Sequence, residues 1–160
     1  MTILSRLLAR RIGLPPAETD DVEVERDLRV SMPDGAVLLA DRYAPGGRGQ
    51  HPLLLVRSPY GRRGPWGQVS GRLLAERGFH VLIQSCRGTF GSGGRFDPMG
   101  TERQDGLATI EWLRRQPWYP GEFATLGPSY CGFAQWAIAA DSGPEHRAVA
   151  AQYAATRWPR

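Results

Sequence analysis

Apolar residues recur with period two from Val22 to Met32, at Val22, Val24, Leu28, Val30 and Met32, and predict a strand. Pro33-Asp34-Gly35 is a turn signal, and residues 36–43 read as a second strand, so the pair forms an antiparallel hairpin. Leu53-Leu54-Leu55-Val56 breaks the alternation, because a continuous apolar run is the pattern of a strand covered on both faces. From there the chain repeats strand, loop and helix. Residues 57–64 form a loop, a helix over 70–77 closes at Gly78, and residues 79–84 give the next strand. A glycine-rich stretch follows over 87–94. Thr101 with Gln104 predicts a capping box for a helix that turns Leu107, Ile110 and Leu113 inward and stops before Pro117. Residues 123–126 are a short apolar strand. The helix after it has Phe133, Trp136, Ala137 and Ala140 at helical spacing, and residues 148–153 give a last strand. The class is α/β: an N-terminal antiparallel hairpin, then βα units of a mostly parallel sheet with helices on both faces.

The turn Gly127-Pro128-Ser129-Tyr130-Cys131-Gly132 joins the short strand to its helix. A serine on such a turn between glycines is how a nucleophile elbow is built. The helix N-terminus would aim amides and the positive dipole end at developing negative charge. The motif alone leaves a second reading open, in which Ser129 only caps the helix. Position favours the nucleophile, because the turn follows the third parallel strand, the order in which an α/β-hydrolase sheet begins. The Tyr130 backbone N–H, next after the serine, would be one oxyanion donor. The loop after the first parallel strand would supply the other, and there Tyr60 offers a phenol.

Composition narrows the partners. The formal charge is +4 and all twenty basic residues are arginine, but they are scattered among sixteen acids with no basic stripe. Nucleic-acid binding is a poor reading of that pattern, and no nucleic-acid partner is expected. Cys86 and Cys131 have no metal-ligand spacing and read as buried thiols, no cluster supports a metal, and no cofactor is expected. No run reaches the roughly eighteen apolar residues of a membrane span. Residues 1–20 read as an amphipathic helix (Ile3, Leu4, Leu7, Leu8, Ile12) with a linker, and a cytoplasmic location is the default. The 87–94 stretch lacks the ending of a phosphate loop and reads as a tight turn that an Arg87–Asp97 pair could pin. His80 reads as a satisfied core residue. Trp112, Trp118 and Trp136 read as core or sheet-covering aromatics.

Several ordered motifs together resemble the CocE/NonD hydrolases, cocaine-esterase-like proteins related to X-prolyl dipeptidyl aminopeptidases and α-amino-acid ester hydrolases. They are Met32-Pro-Asp-Gly35 with Ala40-Asp-Arg-Tyr43, Arg57-Ser-Pro-Tyr-Gly-Arg62, Gln84-Ser-Cys-Arg-Gly88, Gly91-Ser-Gly-Gly94, and Gly127-Pro-Ser-Tyr-Cys-Gly132. The segments Asp105-Gly106, Ile110-Glu-Trp-Leu113 and Gln116-Pro-Trp118 fit the same pattern. The resemblance implies that Ser129 is the nucleophile, and that Tyr60 and the Tyr130 amide form the oxyanion hole. It also implies a small-molecule ester or peptide substrate, with ester hydrolysis and X-prolyl cleavage not separated. Cys131 stands where such proteins more often carry a larger apolar residue.

The departure comes after the serine. In this fold the acid and histidine follow the nucleophile in the chain. Here only His146 follows, beyond a helix of roughly 16 Å, at the wrong end of the sheet to act as base. His51 and His80, near strand starts, meet the same objection. Residues 21–160 therefore read as the N-terminal part of an α/β-hydrolase domain, with the triad acid and histidine outside the sequence. The expectation is a serine hydrolase fragment that is poorly soluble and inactive alone. A non-catalytic remnant serving as an interaction module is the alternative, and a homo-oligomer stays open.

Overall fold

The computed structural model describes residues 7, 9–11, 13–47 and 49–154. Of the expected N-terminal helix, residues 7 and 9–11 are helical, while Ile3, Leu4, Leu8 and Ile12 lie outside the described residues. Six strands follow: β1 (Val22–Ser31), β2 (Val37–Pro45), β3 (Leu53–Ser58), β4 (His80–Ser85), β5 (Phe123–Pro128) and β6 (His146–Gln152). They form one sheet in the order β1-β2-β4-β3-β5-β6. β1 and β2 pair antiparallel and β2 joins β4 antiparallel, whereas β4, β3, β5 and β6 run parallel. The hairpin is thus an antiparallel margin on a parallel sheet.

Two cores explain the apolar runs. On one face Leu53, Leu55, Leu82 and Phe123 pack with Ile110 of α3 (Glu102–Leu113) and Ile138 of α4 (Tyr130–Ala139). On the other, Leu54, Val56, Val81 and Ile83 meet Trp66, Leu74 and Ala75. Those three residues come from a continuous helical stretch. It runs through α1 (Gly64–Gly67), a π-helical turn (Gln68–Arg72) and α2 (Leu73–Ala75). Successive strand side chains point to opposite faces, so a strand with helices on both sides is apolar at every position.

Four expectations need correction. The first helix begins at Gly64 rather than residue 70, with Pro65 in its first turn, where a missing N–H costs nothing. Thr101 makes no capping bond, and its hydroxyl donates instead to Asp105 Oδ2 at 3.0 Å. Arg87 pairs with Asp105 and Asp34, not Asp97. Finally, α4 buries Cys131, Gly132, Ala134, Gln135 and Ile138, which turns Trp136 outward, 46% exposed. Trp112 and Trp118 do pack against the core, and both cysteines are buried free thiols.

Candidate active site

The turn between β5 and α4 holds a non-glycine residue at positive φ. Ser129 has φ 55° and ψ −125°, a region costing a non-glycine residue about 1–3 kcal/mol. Surrounding bonds hold it there. Its N–H donates to the Gln152 carbonyl at 2.7 Å, and its carbonyl accepts the N–H groups of Gly132 and Phe133 at 2.9 and 3.1 Å. The flanking glycines make the turn possible. Gly127 sits at φ 146°, where a Cβ would lie 2.5 Å from Cβ of Cys131. A Cβ on Gly132 would lie 2.5 Å from Cβ of Ala154.

The Ser129 side chain makes no capping hydrogen bond, which removes the helix-cap reading. Its Oγ is exposed and accepts a hydrogen bond from the Tyr60 phenol at 3.3 Å. Tyr60 lies in the loop after β3, and its N–H is anchored on Ser58 Oγ at 3.0 Å. Its ring meets Trp66 edge-on at 6.0 Å. The same loop is pinned by charge. Arg62 donates to Asp41 Oδ1 at 2.9 Å and to Ser85 Oγ at 3.1 Å, and Arg63 donates to Asp41 Oδ2 at 2.8 Å. Burial pushes the Asp41 carboxyl up, but Arg63, the Asp27 N–H and Arg62 outweigh it and hold it below the usual carboxylate range. Tyr60 is therefore presented by a braced loop.

Tyr130 opens α4, so its N–H belongs to the first turn, where the helix offers it no acceptor. Its phenol turns inward, donating to Glu102 Oε1 at 2.9 Å and accepting the Met99 N–H at 2.9 Å. A shallow cleft at Ser129 is lined by Tyr60, Pro98, Met99, Tyr130, Phe133 and Tyr153. All three sequence-predicted residues thus meet at one place. Glu102 was not singled out by the sequence, because its contact with Tyr130 spans 28 positions.

None of the three histidines reaches this place. His146 stands opposite Phe123 at the start of β6, six residues from Ser129 along the strand direction, or roughly 20 Å. Its ring stacks on Phe123 at 4.7 Å, and its nitrogens contact Thr125 Oγ1 at 2.9 Å and Ser142 Oγ at 2.7 Å. His80 begins β4 and accepts the Arg42 Nε–H; His51 contacts the Gly78 carbonyl at 3.1 Å. Among the described residues no group of three His, Cys, Asp or Glu side chains could hold a metal ion, and no helix is long and apolar enough to cross a membrane.

An exposed serine at a strained strand-to-helix turn, on a sheet of this order, is the architecture of an α/β-hydrolase. Residues 34–160 match the sequence profile of the X-Pro dipeptidyl-peptidase (S15) family, and the chain belongs to that family. It is 35% identical over 131 residues to a cocaine esterase from Rhodococcus sp. (strain MB1 Bresler), covering 79% of this chain and 23% of that protein. A CocE/NonD family hydrolase from Staphylococcus aureus superposes with a TM-score of 0.70 at 24% identity, covering 80% of this chain and 27% of that one. An α-amino-acid ester hydrolase does so with a TM-score of 0.68 at 22% identity, covering 86% and 26%. The chain spans about a quarter of the length of these relatives. The two superpositions carry the fold alone.

Proposed function

We propose that the protein is a serine hydrolase that forms an acyl-enzyme at Ser129. The observation that carries this is the exposed Ser129 Oγ, at φ 55°, within hydrogen-bond reach of the Tyr60 phenol. Oγ attacks the substrate carbonyl carbon, and its proton passes to a general base supplied from outside the described residues. The carbonyl oxygen takes the charge and is held by the Tyr60 O–H and the Tyr130 N–H. Collapse expels the alcohol or amine, and water then releases the acid.

Ester substrates fit better than X-prolyl peptides. The likeness to a cocaine esterase supports that preference, with X-prolyl cleavage, after which the matching family is named, as the alternative. Turnover of p-nitrophenyl esters and of an Xaa-Pro p-nitroanilide, by protein expressed from its complete reading frame, tests both points. Ester turnover that is lost in Ser129→Ala supports the proposal; turnover that survives the substitution contradicts it. Faster cleavage of the anilide would reverse the substrate preference.

A further inference from the structure

Behind the Ser129 turn lies a buried polar cluster that the acyl-transfer steps do not use. Glu102, the first residue of α3, is 1% exposed, and Arg57, near the end of β3, is 3% exposed. Arg57 Nη2 lies 2.9 Å from Glu102 Oε2, Nη1 donates to the Glu102 carbonyl at 2.7 Å, and Nε donates to Gln84 Oε1 at 3.0 Å. Burying such a pair is costly, and apolar residues of similar volume often serve stability as well or better. Stability alone is therefore a weak account of it.

The cluster's contact towards the cleft is Tyr130. Glu102 has two carboxylate oxygens with separate duties: Oε2 faces Arg57, and Oε1 accepts the Tyr130 phenol at 2.9 Å. The phenol oxygen in turn accepts the N–H of Met99, a cleft residue at φ 68°. The ring of Phe96 packs on Tyr130 at 5.8 Å. The side chain of Tyr130 is thus tied at its far end, while its backbone leaves the strained Ser129.

We propose that Glu102, braced by Arg57, is a positioning residue for the oxyanion site. Through the Tyr130 phenol it fixes where the Tyr130 amide points, and through the same oxygen it holds the Met99 wall of the cleft. This rests on the reading of Ser129 as nucleophile. A donor displaced by about 1 Å from the developing charge costs on the order of 10²-fold in rate. The ground-state substrate makes weaker use of that donor, so the loss falls on kcat rather than KM.

The test uses protein from the complete reading frame and the variants Tyr130→Phe, Glu102→Gln and Ser129→Ala, assayed on a p-nitrophenyl ester. Tyr130→Phe keeps the Arg57–Glu102 pair and the ring packing and removes only the hydroxyl. It is expected to lower kcat by roughly 10–100-fold with KM nearly unchanged. Glu102→Gln should lower kcat at least as far, and the double variant should be no worse than the poorer single one, because both act through one contact. Where Glu102→Gln fails to fold, Tyr130→Phe decides. An unchanged kcat in Tyr130→Phe, or a loss confined to KM, overturns the inference. Turnover surviving in Ser129→Ala would instead bring down the nucleophile reading, so the two failures are told apart.

Discussion

The Tyr60 phenol donates to Ser129 Oγ at 3.3 Å across 69 positions of the chain. Each partner is held by its own device: Ser129 by a strained turn tied to β6, and Tyr60 by a loop braced on Asp41 through Arg62 and Arg63. In the free protein the phenol rests against Ser129 Oγ, and in the proposed reaction it turns its O–H to the substrate carbonyl oxygen on attack. Tyr60→Phe removes that donor and leaves the ring against Trp66. It should lower kcat by about 10²–10³-fold, the usual effect of one oxyanion donor. Steady-state ester kinetics would show this, and a thermal melt should show little change.

The brace under that loop is testable separately. Asp41 is fully buried and accepts from Arg62, itself 5% exposed, and from Arg63. Asp41→Ala removes the buried carboxylate between Arg62 and Arg63 and leaves Arg62 with Asp27 as its carboxylate partner, which typically costs about 1.5–3 kcal/mol. Urea unfolding should show a loss of that order. At urea concentrations where the variant stays folded, ester turnover should fall too, because the Tyr60 loop loses its anchor. A variant as stable and active as the parent would contradict the brace.

His80 gives a pH dependence far from the cleft. It is 4% exposed, packs on Trp118 at 4.7 Å, and is lowered from 6.5 to about 4 by burial first, then by Arg42 and His51. Above pH 6.5 the imidazole is neutral folded or unfolded and contributes no pH dependence. As pH falls from 6.5 towards 4 the unfolded chain takes up a proton that the folded protein refuses, so stability drops, by on the order of 3 kcal/mol in all. Below about 4 both states are protonated and this contribution stops changing. Denaturant melts across that window should show the slope in the parent and a weaker one in His80→Gln.

Much of this arrangement was legible in the sequence because short-range signals and sheet periodicity agreed. The run Leu53–Val56 announced two-sided burial, and helices do cover both faces. The glycines around Ser129 announced a turn that only such residues permit. Where local signals were read alone they misled. Gly64-Pro65-Trp66-Gly67 has loop composition, yet Trp66 packs on the sheet and the segment is helical. Helical spacing picked out Trp136, but α4 is apolar around much of its circumference, and packing on β3 and β5 chose the face of Ala134 and Ile138 instead. Arg87 found Asp34 and Asp105, from 53 and 18 positions away. The Arg57–Glu102–Tyr130 cluster was invisible for the same reason, since no pattern along the chain encodes charges that meet only after the sheet has formed.

Covalent trapping tests the proposed role of Ser129 as nucleophile. Protein from the complete reading frame would be treated with a fluorophosphonate and digested, and the labelled peptide read by mass spectrometry. One adduct per chain is expected, on Ser129 and absent from Ser129→Ala. A folded protein that takes up no label, or that is labelled at another residue and equally in Ser129→Ala, would contradict it.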